Sequence, residues 1–241
     1  MMLRTMLALT AFAAVTGVAT VTSAAFTWSP YFSEESQPPQ EFCTSVGQAV
    51  DGVRCQGSYC DDIGIRCNDL PFGMTAEGHN WEALITDDPD AAIPLGTIGT
   101  HSYIVSDEYG HVCGLGSGIL TGLHCSGSYC DDVTLQCATP TMDYQGAKVP
   151  GELVNCFWSN YYSEEDPWFA YGATANLWIS GIECYGSYCD SKKYRVCELA
   201  NPASCEDTCG AQASAGCWCD SQCTELGDCC EDYVSACSTR N

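Results

Sequence analysis

The chain is 241 residues long and carries 31 Asp and Glu against 8 Lys and Arg, a formal net charge of −23. Nucleic acid and anionic membrane surfaces would both repel such a chain and are excluded as partners, whereas a basic ligand, a cation or a neutral glycan is compatible with it. Twenty cysteines, an even number, place it among secreted disulfide scaffolds.

Arg4, an apolar run from about Met6 to Val21 and the small residues Ser23, Ala24 and Ala25 predict a secretory signal peptide over residues 1–25. No later apolar stretch is long enough for a membrane-spanning helix, so the expectation is a secreted, extracellular protein without membrane insertion.

The pentapeptide Gly-Ser-Tyr-Cys-Asp occurs three times, at residues 57–61, 127–131 and 186–190. Each copy follows a frame of an apolar residue, a spacer, Gly, an apolar residue, a spacer and Cys: Val50 to Cys55, Leu120 to Cys125 and Ile179 to Cys184. Such self-similarity marks one supersecondary unit used three times. The first unit opens on Phe26-Thr27-Trp28 and runs to Ser33-Glu34-Glu35. A close relative runs from Phe157-Trp158 to Ser163-Glu164-Glu165, with a weaker version at Tyr103 to Glu108. One three-repeat β domain over residues 26–200 follows, with units at about 26–69, 100–138 and 153–198.

Between Cys55 and Cys60 lies a four-residue connection containing Gly57, flanked by the mostly alternating Val50, Val53, Ile63 and Ile65. That pattern predicts a β-hairpin. Leu70 to Gly99 has no cysteine and is expected to be a surface excursion with a short helix near Trp81 to Ile85. The fold class is therefore mainly β and disulfide-rich: three stapled hairpin repeats and a small C-terminal disulfide knot. Packing about a pseudo-threefold axis and a string of independent beads both stand, and the short connection at Ala138 to Pro150 favours the axis.

Four cysteines allow three pairings. The first two units share one spacing, but the third has Gly172 where Cys43 is expected and carries its first cysteine at Cys156, while Cys184 and Cys189 keep their gap. The shift favours local staples Cys55–Cys60, Cys125–Cys130 and Cys184–Cys189, and the outer bridges are then Cys43–Cys67, Cys113–Cys137 and Cys156–Cys197. Loop closure assigns about 2 kcal/mol to a staple and about 3.5 kcal/mol to an outer bridge.

Among residues with chemistry, Ser58, Ser128 and Ser187 sit in no nucleophile elbow and are expected to be turn residues. His79, His101, His111 and His124 lack paired metal spacing. The acids Glu34, Glu35, Asp107, Glu108, Glu164 and Glu165, with Asp61, Asp62, Asp131, Asp132 and Asp190, recur in register. One calcium per repeat would account for that; the alternative is solvated loop ends, since no recognised calcium loop is present. Trp28, Trp81, Trp158, Trp168 and Trp178 could stack on sugar rings, although Trp28 and Trp158 are expected to fill a thin β core. No catalytic residue is assigned and no cofactor beyond calcium is expected. Adjacent strand residues such as Glu34 and Glu35 would point to opposite faces and could not flank one glycosidic bond.

From Cys205 the cysteines become dense: Cys205, Cys209, Cys217, Cys219, Cys223, Cys229, Cys230 and Cys237. Eight cysteines in register, with the segments Cys217-Trp218-Cys219-Asp220 and Cys229-Cys230-Glu231-Asp232-Tyr233, resemble the somatomedin B domain over residues 204–238. The resemblance implies a compact knot with one short helical turn, paired Cys205–Cys219, Cys209–Cys237, Cys217–Cys230 and Cys223–Cys229. It also implies an extracellular protein-binding module, with Asp220 at the position of the family's contact acid and Thr224, Glu225 and Leu226 beside it. The expected function is a secreted, non-catalytic recognition or adhesion protein that binds an extracellular protein or glycan. An extracellular hydrolase and a structural coat or matrix component are the alternatives.

Overall fold

The computed structural model describes residues 27–36, 38–85, 110–163, 168–170, 176–186 and 189–237. The signal segment at 1–25, Tyr103 to Glu108, His101, Glu164, Glu165 and Ser187 lie outside the described residues. Three antiparallel hairpins form the framework: β3 (Gln48–Gln56) with β4 (Asp62–Asp69), β7 (Ile119–Ser126) with β8 (Asp132–Tyr144), and β12 (Leu177–Tyr185) with β13 (Ser191–Ala200). The first two turn through their Gly-Ser-Tyr-Cys-Asp loops, and Gly186, Cys189 and Asp190 are the described residues of the third. Gly57, Gly127 and Gly186 have φ of 77°, 75° and 84°, and a Cβ on any of them would overlap the carboxylate of Asp61, Asp131 or Asp190 folded back over it. Tyr59 and Cys60 follow at φ 58° and 64°, as Tyr129 and Cys130 do at 59° and 58°. Left-handed backbone at non-glycine residues costs about 1 kcal/mol each, and the local staple holds it in place.

Each hairpin gains one strand on either side. β1 (Thr27–Trp28) lies beside β4, and β10 (Glu152–Trp158) lies beside β13. The same place beside β8 is taken by β5 (Thr75–Ile85). Trp81 to Ile85 is therefore strand rather than helix, because the edge of β8 demands a partner as the edges of β4 and β13 do. Trp81 opposite Gln136 matches Trp28 opposite Arg66 and Trp158 opposite Arg195. The end of β8, from Thr141 to Tyr144, also pairs with β9 (Ala147–Pro150) through a tight turn.

On the other side the units exchange strands. β2 (Gln40–Phe42) of the first unit pairs with β7 of the second. β6 (Gly110–Val112) of the second pairs with β12 of the third, and β11 (Trp168–Ala170) of the third returns to β3 of the first. The exchange closes after three steps, and β3, β7 and β12 each pack against the other two. This is the pseudo-threefold arrangement. The frame glycine is where the donated strand crosses: a Cβ at Gly122 would lie 2.6 Å from Phe42 Cβ, and one at Gly181 2.7 Å from His111 O.

The inward faces share one axial core. Val50, Val53, Ile63 and Ile65 meet Leu120, Leu123, Val133 and Leu135, and Ile179, Ile182, Tyr194 and Val196. A second cluster below it holds Ala49, Met74, Ile119, Met142, Trp178 and Leu199. Trp178 is thus buried and presents no platform. Trp28 and Trp158, expected in the core, belong to neither cluster. They project outward, since β-branched and leucine side chains already fill the axis.

Ten disulfides are formed. Cys55–Cys60, Cys125–Cys130 and Cys184–Cys189 staple the loops. Cys43–Cys67 joins the end of β2, in the second sheet, to β4 in the first, and Cys113–Cys137 joins the end of β6, in the third sheet, to β8 in the second. Cys156–Cys197 instead lies within the third sheet, between β10 and β13.

The knot holds Cys205–Cys219, Cys209–Cys237, Cys217–Cys230 and Cys223–Cys229, with two short helices, α1 (Cys223–Leu226) and α2 (Tyr233–Cys237). Its interior is Cys205, Ala213, Cys217, Cys219 and Cys230. Asp232 ties its ends together, accepting from Cys205 N at 2.9 Å and from the Ser204 hydroxyl at 2.6 Å. Tyr144 and Ala203 pack against both the knot and the lower core of the ring.

Candidate functional site

Three regions carry the residues with recognition chemistry. The first is the face of α1 in the knot. Asp220 caps this helix, its Oδ1 accepting from Gln222 N at 2.9 Å and Cys223 N at 3.0 Å. Thr224, Glu225 and Leu226 stand exposed on the turn it caps, Leu226 at 73%. Asp220 is half-buried and spends one oxygen in shaping the turn that carries the other three. Val234, on α2, is also exposed.

The second region is the tip of the ring, where the pentapeptide loops of the first two units meet. The Tyr59 and Tyr129 rings are 5.5 Å apart. Glu34 reaches across the unit boundary to accept from Tyr129 N at 2.9 Å, so this acid fastens a neighbouring loop. Glu35 is exposed, and Asp62 accepts from Gln56 Nε2 at 3.2 Å. Burial, with Asp62 and Glu34 nearby, pushes the Asp61 carboxyl above its usual range. Asp131 and Asp190 hold the same loop positions as Asp61, and Asp132 the same position as Asp62. Asp107, Glu108, Glu164 and Glu165 lie outside the described residues. Among the described residues no three carboxylates converge on one point; the one cluster of ligand types is Cys205, Cys219 and Cys230, whose sulfurs are all in disulfides.

The third region is the outward face of the sheets, where equivalent positions can be compared. The spacer before each frame glycine is a buried polar residue at a register shift, bonded to the residue opposite that glycine, a feature hidden in the sequence because Asp, Thr and Ser share little beyond polarity. Asp51 accepts from Arg66 Nε at 2.7 Å and Nη2 at 3.2 Å. Thr121 Oγ1 lies 3.2 Å from Gln136 O, and Arg195 Nη1 donates to Ser180 Oγ at 2.8 Å. Burial pushes the Asp51 carboxyl up, and Arg66 opposes it.

Above these pairs sit the tryptophans. In the first sheet the Arg54 guanidinium lies 5.1 Å from the Trp28 ring centre and 4.1 Å from that of Tyr31, with Arg66 5.5 Å from Trp28. In the second, His124 approaches Trp81 edge-on at 6.0 Å, and burial pushes its imidazole below the usual range. In the third, Lys193 Nζ lies 5.3 Å from Trp158 and 5.2 Å from Tyr161. There Glu183 holds both neighbours, bonding Lys193 at 2.7 Å and accepting from the Tyr161 hydroxyl at 2.7 Å, which pushes both groups up. Tyr185 completes this group with its ring 5.2 Å from Tyr161.

Residues 203–240 match the family model of the somatomedin B domain. No curated protein and no solved structure matches the chain. Somatomedin B domains are extracellular, disulfide-rich modules that mediate protein interactions, and the ten disulfides belong to the same oxidising compartment. Among the described residues no helix is long and apolar enough to cross a membrane.

Proposed function

We propose that the protein is a secreted, non-catalytic recognition protein. Its knot engages an extracellular protein through the face of α1, and its ring of sheets offers a second surface for glycan or protein. The observation that carries this reading is the somatomedin B match, which falls on a segment whose Thr224, Glu225 and Leu226 are exposed on the turn that Asp220 caps. Leu226 is exposed apolar area beside the capping acid Asp220, and charging an apolar side chain that a partner buries costs more than about 1 kcal/mol.

The test is binding of the full secreted protein to an array of extracellular proteins, repeated with Leu226→Asp. A partner whose affinity falls at least tenfold, about 1.4 kcal/mol, is the expected result. A set of partners bound equally by both forms would place recognition elsewhere. Turnover of glycosides, esters or peptides by the purified protein would overturn the non-catalytic reading.

A further inference from the structure

The three sheets serve as internal controls for one another, because whatever the scaffold requires must appear in all three. A tryptophan on the outer strand is common to them. The tyrosine at position 185 is not: the residue in its place is Gln56 in the first sheet and Ser126 in the second. The cation has also moved. In the first sheet it is Arg54 on β3, lying over Gly64; in the third it is Lys193, in the place of Gly64, and Glu183 occupies the place of Arg54.

This exchange alters the surface. Trp28 has two guanidinium groups over it, from Arg54 and Arg66, and is part-buried. In the third sheet Trp158, Tyr161 and Tyr185 are 38%, 40% and 63% exposed, grouped around the Glu183–Lys193 pair. Since the other two hairpins form without a ring at the position of Tyr185, the fold does not require that ring, the most exposed of the three. Keeping the Tyr185 ring in water beside Trp158 and Tyr161 is unfavourable, so a covering ligand is the better account of its presence.

We infer that this group is a carbohydrate subsite for a neutral pyranose. This deepens the recognition reading and rests on it. The apolar face of a sugar ring stacks on tyrosine and tryptophan, and its hydroxyls need donors and acceptors fixed beside those rings. Glu183 and Lys193 supply both and are held by each other and by the Tyr161 hydroxyl. Their charges cancel, so the site offers no net charge to an acidic sugar, while the chain's −23 repels sulfated and sialylated glycans. The rings and the ion pair come from strand positions or the edge beside them, so little ordering is needed on binding.

The experiment uses the full secreted protein on an array of neutral hexose and N-acetylhexosamine oligosaccharides with sialylated and sulfated counterparts, followed by calorimetric titration of the strongest neutral probe. Tyr185→Gln installs the residue of the first sheet and should keep the melting temperature while weakening the neutral probe at least tenfold; Trp158→Ala should weaken it further. Gln56→Ala, in the first sheet, should leave it unchanged. Binding only to sialylated or sulfated probes, or neutral binding that Tyr185→Gln leaves intact, would overturn the assignment. A protein that binds no glycan yet still binds a protein partner through Leu226 would overturn it too, and would leave the broader recognition reading standing.

Discussion

Asp51 and Arg66 form a buried ion pair at the register shift of the first hairpin. Both side chains are almost wholly buried, and the pair is satisfied by two Arg66 hydrogen bonds and a third from Asn68. The second sheet solves the same problem without charge, using Thr121 and Gln136. Arg66→Gln alone leaves a buried carboxylate unpaired and should cost about 3–5 kcal/mol near neutral pH. Adding Asp51→Thr rebuilds the neutral pair and should recover most of the loss, as read from urea midpoints. No recovery would mean that the pair does more than fill its site. The sign with pH follows from burial. Without Arg66 the native pKa of Asp51 stands still higher above its unfolded value, so the native state of Arg66→Gln takes up a proton first. Its deficit should shrink as pH falls through that raised value.

His124 works in the opposite direction. Burial lowers its native pKa, so the native state binds fewer protons than the unfolded chain between the two values. Its contribution is complete above the unfolded pKa and is lost as pH falls through the native one. The stability difference between the protein and His124→Gln should therefore be larger at pH about 7.5 than at about 5, a window set by the ordinary histidine value. A difference that does not change with pH would show that the imidazole is not desolvated by Trp81 and its neighbours.

Among the elements, the exchanged strands β2, β6 and β11 hold the ring together, and their signal in the sequence is short and indirect. Each has three residues, too few for a period to show. What was legible was the hairpin, because its loop repeats five residues and its strands alternate, and the knot, because eight cysteines leave few ways to be in register. The frame glycine repeated visibly, but its reason did not: it is small because Phe42 and the Glu41 carbonyl lie where a side chain would be at Gly122. Gly122→Ala should separate β2 from β7 and cost about 2 kcal/mol, seen as a lower urea midpoint. An unchanged midpoint would mean that β2 is not seated there. The strand β5 was missed because Trp81 carries no Phe-Thr-Trp or Phe-Trp-Ser context, and a lone Trp-Glu-Ala-Leu run fits a helix as well as a strand.

The third unit's outer bridge was legible in part. Six residues separate Cys60 from Cys67 and Cys130 from Cys137, but seven separate Cys189 from Cys197. A shift of one residue moves a strand side chain to the other face. Val196 therefore takes the axial place opposite Ile179, and Cys197 turns outward to reach Cys156. The consequence is a ring with two covalent cross-sheet ties and one seam, between β11 and β3, closed without a disulfide among the described residues.

At the scale of the molecule, the ring and the knot place the recognition surfaces on rigid supports. The axial core is assembled from all three units, so none of the three can bury its apolar face alone. The knot depends on its own four bridges and touches the ring through Tyr144 and Ala203. Every assignment of a surface to a sheet rests on this connectivity. Non-reducing peptide mapping of the intact secreted protein tests it most directly. The account predicts Cys43–Cys67 and Cys113–Cys137 as ties between units' sheets, Cys156–Cys197 within the third, the three five-residue staples, and four bridges confined to the knot. A bridge from the knot to any repeat, or Cys43 joined to Cys55, would contradict it.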